Sequence, residues 1–279
     1  MQKLTQTPKR FNQCFGLTLA TLLLLFTLSV SVSVSVSVYA NGLNDWQKPK
    51  YIQKAFNEIA LKNEYRSSQQ RILKWHQPIN YHFQYHQIGR NLMVEQLFHT
   101  HLKQLSQITN LPITHTNISN QANLVIHLTA DINYKTVIQK HTLSRVKDIA
   151  TESNCMGSFT TSASKEITKG QIVLPLDHVF SRGLLVACII EETTQLMGLP
   201  NDSDWVNPSI ANDASKIEFL TGLDYLFLKI LYSKQLKAGM NFNQSQPIIT
   251  KIIGQLQKSK EIEKASRKIN QQGLYPLVN

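Results

Sequence analysis

Cys188-Ile189-Ile190-Glu191-Glu192-Thr193-Thr194-Gln195-Leu196-Met197-Gly198-Leu199-Pro200-Asn201-Asp202 is the stretch whose reading decides the fold. In a helix of the pattern H-E-x-x-H-x-x-G-x-x-[H/D], two imidazoles one turn apart hold Zn²⁺. The Glu is the general base, and the Gly turns the chain towards a third ligand. Here Glu191 stands at the first His position, Glu192 at the base, Gln195 at the second His, Gly198 at the turn and Asn201 at the third ligand. The frame is kept and the imidazoles are replaced. Zinc favours imidazole or thiolate donors and a neutral amide is a poor substitute, so no metal is assigned to these positions.

Residues three and four apart are neighbours on a helix, so Cys188, Glu191, Glu192 and Gln195 share one wide face. Leu185, Val186, Ile189, Ile190, Leu196 and Met197 cover the rest. An unpaired buried carboxylate is very costly, so the polar face looks into a cleft or onto satisfied partners. The preferred reading is a scaffold retained for binding without catalysis, a pseudo-peptidase, with Gln195, Asn201 and Asp202 as cleft residues. The alternative is a hydrolase of peptide or cell-wall glycan, in which Glu191 and Glu192 repel each other and share acid and base duties. A third reading places Ca²⁺ or a similar hard ion on Glu191, Asn201, Asp202 and Asp204. The loop lacks the D-x-[DN]-x-[DN]-G order, with Val206 where a ligand is needed, so a solvated Asx-rich turn is the plainer account. The fourth is a structural or interaction protein of the envelope that uses a basic C-terminal helix.

The N-terminus reads as an export signal. Lys3, Lys9 and Arg10 precede an apolar run from Phe15 to Val38, and Val38-Tyr39-Ala40 forms a small-x-small cleavage site. The run is also long enough to span a bilayer, so anchoring in the inner membrane by residues 15–38 is the alternative to a periplasmic or extracellular mature protein. Without residues 1–40 the net charge falls from +11 to +8. The Lys and Arg are scattered among Gln, Asn and Ser, with no aromatic-interleaved basic stripe, which argues against a nucleic-acid partner. An unknown protein or a cell-envelope ligand is expected instead. Cys155 and Cys188 remain after processing, and in an exported chain the default is a disulfide. Cys188 as a nucleophile is the weaker reading, because no His follows His178 to serve as its base.

Ile79, Tyr81, Phe83 and Tyr85 alternate with polar residues, the period of a half-buried strand. Leu92, Leu97, Leu102, Leu105 and Ile108 make an amphipathic helix over 91–109. A second strand is expected at 122–128, irregular structure over 131–169, and a short strand at 171–175 whose proline suits an edge or a strand end. The signature helix spans 181–197 with Gly198 as its stop. Thr221-Gly222-Leu223-Asp224 has the form of a helix cap. One basic amphipathic helix is expected from Pro247 to Asn270. Among the nine His, His82 and His86 share a strand face and His99 and His101 diverge on a helix. They are read as surface histidines, with no ligand role and no cofactor.

Trp75, Pro78 and Ile79 open the first strand as Trp-x-x-Pro-Ile. Cys188, Glu191, Glu192, Gln195, Gly198, Leu199, Asn201 and Asp202 follow, then Leu220, Thr221 and Asp224, then Leu231, Tyr232, Gly239 and Met240. Over about 72–240 this set resembles the bacterial exported domain of unknown function 2927, a family similar to zincin metallopeptidases. The resemblance implies an α+β, zincin-like domain with a mixed sheet packed on the active-site-type helix, an edge strand bordering the cleft and a helical C-terminal part. The implied organisation is a signal peptide over 1–40, a helical extension over 41–71, the zincin-like domain over 72–240 and a C-terminal helical extension over 241–279. Fold does not license activity, so the chemistry rests on the residues.

Overall fold

The alternation at Ile79 does build a strand, and it lies inside the sheet. The computed structural model describes residues 44–62, 71–142 and 148–277, so the expected signal and anchor segment lies outside the described residues. In β2 (Ile79–His86) Ile79, Tyr81 and Phe83 are buried on one face, while Asn80, His82, Gln84 and His86 point to the other. β3 (Ile113–His115) and β4 (Leu124–Thr129) flank β2 in parallel register, with Tyr81 opposite Leu124 and Phe83 opposite Ile126. β6 (Glu166–Pro175) pairs in parallel with β4, Ile172 opposite Ile126. The two-residue β1 (Lys74–Trp75) lies beside the start of β6 on the same side as β4. β5 (Met156–Thr161) runs antiparallel along the other side of β6 and forms an edge. The sheet is therefore mixed, as the α+β reading requires.

Helices cover both faces. α2 (Leu92–Thr109) is capped by Asn91, whose side chain accepts from Val94 N at 3.2 Å, and ends at Asn110 in the left-handed region. Val94, Phe98, Leu102, Leu105 and Ile108 are its buried stripe; Leu92, counted in the apolar pattern, is exposed at the first turn. α6 (Leu185–Gln195) packs beside α2 on the same side of the sheet. α3 (Asp131–His141) crosses the opposite face and packs on β6 and β4. A small second core forms there from Tyr134, Val137, Ile138, Ile149, Met156 and Val173.

Three expectations change. The described residues within 131–169 are not irregular: they hold α3, α4 (Ile149–Glu152), β5 and the start of β6. α3 shows a stripe of only Tyr134, Val137 and Ile138, and β5 is Gly, Ser and Thr with little alternation, so neither announces its period. β6 is an interior strand that ends on its proline, one of the two places expected for it. The helix expected over 181–197 is shorter, with α6 confined to Leu185–Gln195, and Gly183 at φ +70° separates it from a preceding helix, α5 (Leu176–Ser181). The C-terminal helix is two, α8 (Phe242–Lys258) and α9 (Glu261–Asn270), hinged where Lys260 takes φ +57°.

α7 (Gly222–Leu231) starts at the expected cap: Thr221 Oγ1 accepts from Leu223 N and Asp224 N, and Asp224 reaches back to Thr221 N. Its residues are almost all buried, because α1 (Pro49–Leu61), α8 and α9 surround it. Phe56 of α1 meets Phe227 of α7 edge to face, and Ile249 and Ile262 join the same core. Each such side chain removed from water contributes roughly 1.5–3 kcal/mol. Leu43–Asn279 form one compact unit. Among the described residues no helix is long and apolar enough to cross a membrane.

Candidate functional site

The end of α6 is fixed from three directions. Gly198, at φ +107°, passes so close to β1 that a Cβ there would lie 2.1 Å from the Leu73 carbonyl oxygen, so only glycine fits. Trp75 Nε1 donates to the Leu196 carbonyl at 2.8 Å, and Tyr232 Oη donates to the Met197 carbonyl at 2.9 Å. These bonds take up carbonyls that the helix leaves open at its C-terminus. The expected Cys155–Cys188 disulfide is present and ties the middle of α6 to the residue before β5.

An edge strand that the sequence did not announce, β5, lies against this helix. A Cβ at Gly157 of β5 would lie 2.6 Å from Glu192 Oε2, so strand and carboxylate are in contact. Glu192 is buried, packed between α6 and β5. Glu191 is half-buried on the other flank and lines a cavity with Ile59, Thr194, Gln195, Ile210 and Phe227. That cavity measures about 10 Å³, the space of a single water molecule and far below a substrate cleft. α1 contributes Ile59 to it, and the segment after Pro200 contributes Ile210 and Ala211. The cleft expected beside Gln195 is therefore covered.

The candidate ligand-binding residues come together, but they bind one another. Gln195 Nε2 donates to both carboxylate oxygens of Asp202, at 2.9 and 3.0 Å. Asn201 is buried, and its Nδ2 donates to the Asp202 carbonyl at 2.7 Å. The positions corresponding to the second and third zinc ligands thus present amide hydrogens to oxygen partners, and of 191, 195 and 201 only Glu191 offers an anionic donor. The donor set does not fit zinc. The loop beyond is held by Asp224, which accepts from Ser209 Oγ (2.6 Å), Ile210 N (3.1 Å), Thr221 N (2.8 Å) and Thr221 Oγ1 (2.9 Å). Burial raises the Asp224 carboxyl above its ordinary range, and these donors pull it partly back. Asp204, the fourth candidate for a hard ion, is exposed.

The large concavity lies elsewhere. A groove of about 800 Å³ runs between the ends of α2, α7 and α8, floored by Trp75, Ile108, Tyr232 and Ile252. Lys74, Lys229, Lys234 and Lys237 line it, with Glu166 as the one acidic lining residue. Lys74 is engaged: its Nζ donates to the carbonyls of Leu231 (2.7 Å) and Leu236 (3.0 Å) and lies over the Tyr232 ring. Burial, and then the charge of Lys237, lower it to about 8. Sequence reasoning missed this groove because its walls come from five separate segments; the lysine-rich run 229–237 was the one visible signal.

The histidines also need correction. His101 is wholly enclosed, with Nδ1 3.3 Å from Gln104 Oε1, and His127 on β4 is buried, so neither is a surface residue. Burial lowers both to about 4. His82 and His86 do share a strand face, and His127 stands on that face too.

A model of the protein family of unknown function DUF2927 matches residues 49–251. The chain belongs to that family. The match begins at the first residue of α1 and ends inside α8, so helices on both flanks of the sheet are part of it. No curated protein matches the chain at a significant level.

Proposed function

We propose that this DUF2927 member is an exported, zincin-like binding protein without peptidase activity, and that it holds an anionic ligand of the cell envelope in the basic groove. The Gln195–Asp202 contact carries the reading. An amide that donates to both oxygens of a carboxylate serves the fold, and the cavity beside it admits no peptide. Zincin descent is supported by the helix with its Gly198 turn and by the antiparallel edge strand against Glu192. Export is supported by the disulfide, a bond that persists in oxidising compartments. The groove supplies what the helix face lacks: volume in the range of ligand sites, an apolar floor and several lysines on its walls. The hydrolase alternative is weakened by the enclosure of Glu192 against β5.

The test measures binding of the protein to vesicles with and without anionic phospholipid, and to a soluble anionic polymer, at two salt concentrations. A triple Lys229→Gln, Lys234→Gln, Lys237→Gln variant is run beside the parent. Binding should weaken with salt and fall several-fold in the variant. Equal binding by the two proteins would remove the groove from the proposal. Turnover of casein or peptidoglycan that disappears in Glu192→Gln would remove its non-catalytic part.

A further inference from the structure

The sheet face opposite α6 assembles what the signature helix has lost. His86 at the end of β2 and His127 in β4 are diagonal neighbours on adjacent parallel strands, because His127 sits opposite Gln84 in the register. α3 crosses that face and delivers His141 as its last residue. The ring centroids are 5.1 Å apart for His86 and His127, 4.9 Å for His86 and His141, and 4.4 Å for His127 and His141. One nitrogen from each ring lies within 4.8 Å of the others, and no other such group of three His, Cys, Asp or Glu side chains occurs among the described residues.

A fourth residue sets the tautomer. Gln171 Oε1 lies 2.7 Å from His127 Nε2. A carbonyl oxygen only accepts, so Nε2 carries the proton and the lone pair of His127 is on Nδ1. Nδ1 is the atom that faces His86 Nε2, at 2.8 Å. An amide or carboxylate oxygen on the far nitrogen of an imidazole is the usual outer partner of a metal-bound histidine. Nitrogens around a tetrahedral zinc stand about 3.3 Å apart, from Zn–N bonds of about 2.05 Å. A metal would replace the His86–His127 hydrogen bond, the two nitrogens opening from 2.8 Å to about 3.3 Å, and moving the His86 proton from Nε2 to Nδ1 frees both lone pairs with no net proton released. His127 is buried while His86 and His141 are half-buried, so one side of the group opens to solvent for entry.

We propose that His86, His127 and His141, with Gln171 as the outer partner of His127, form a binding site for a first-row divalent cation such as Zn²⁺, with the fourth position open to solvent. Lys140 is the cation that bears on His86 and His141, and it favours an anion or hydroxide at the open position over a second metal. The site is separate from α6 and from the groove, and stands or falls independently of the binding function proposed above.

The test uses the full chain, solubilised and freed of metal with a chelator. It is titrated with Zn²⁺ against a chromophoric competitor, and with Co²⁺ as a spectroscopic probe. One equivalent of zinc should bind, and Co²⁺ should give visible bands of tetrahedral intensity. His86→Ala and His141→Ala should each weaken zinc binding by more than about a hundredfold, since an outer partner alone is worth ten- to a hundredfold. Gln171→Leu should weaken it about ten- to a hundredfold, and the exposed His76→Ala should leave it unchanged. Circular dichroism of each variant checks the fold. Should an alanine variant fail to fold, Gln171→Leu and the Co²⁺-induced displacement of the His127 ring resonances decide. A parent that binds no saturable equivalent overturns the site, as does binding that survives both alanine substitutions.

Discussion

Replacing Gln195 by alanine separates a residue that serves the fold from one that serves a ligand. In the structure its amide makes two hydrogen bonds to the Asp202 carboxylate, at 2.9 and 3.0 Å, across the turn that Gly198 forms. Hydrogen bonds to a charged group contribute about 1.5–3 kcal/mol each when fully enclosed. Gln195 is only half-buried, and the two bonds share one donor group, so about 1–2 kcal/mol is expected for the pair. For a unit of this size that corresponds to a melting temperature about 2–8 °C lower. Gln195→Glu should lose more at neutral pH, because two carboxylates would then face each other. Differential scanning calorimetry of parent and both variants measures this, with binding to the anionic ligand recorded in parallel. Unchanged melting in Gln195→Ala, together with lost binding, would refute the reasoning, since it would mean that the side chain faces a ligand.

Acid should weaken the fold through its enclosed histidines. His101 and His127 have folded values near 4, below the unfolded value of 6.5. Each therefore contributes stability that is whole above about pH 6.5 and is lost as pH falls towards 4, because there the unfolded chain takes up a proton that the folded one resists. Urea unfolding between pH 7 and 4 should show a midpoint that declines through this window, and His101→Leu should flatten the decline; an identical slope in the variant would count against the assignment. Removing the disulfide with paired Cys155→Ser and Cys188→Ser changes should lower stability by roughly 4 kcal/mol, the loop entropy of a closure spanning 33 residues. Chemical denaturation checks it, and a loss under about 1 kcal/mol would mean that the cross-link constrains little beyond what α6 and β5 already hold.

Periodicity carried far where an element has one buried face. The alternation in β2 and the stripe of α2 were both legible, and each element lies where its period placed it. The α6 signature located a helix and its glycine stop, because those depend on local backbone geometry, and the cross-linked cysteine followed from the expected compartment. α3 and β5 stayed hidden for the converse reason: they bury few apolar residues, and their conformation is imposed by the sheet beneath. The polar residues of α6 were legible in the sequence and their surroundings were not. Nothing in Gln195 or Asp202 says that they would pair, or that Ile59 and Ile210 would close the space beside them.

By itself the sequence determined which segments could bury a face, where the signature helix must stop and which cysteines could meet, since each depends on residues close along the chain or on the compartment. Only the tertiary structure decided which polar groups share a space. Strand register placed His127 diagonal to His86 and Gln171, the path of α3 brought His141 to them, and five distant segments formed the lysine groove. Such meetings depend on how elements stack, and no spacing along the chain encodes them.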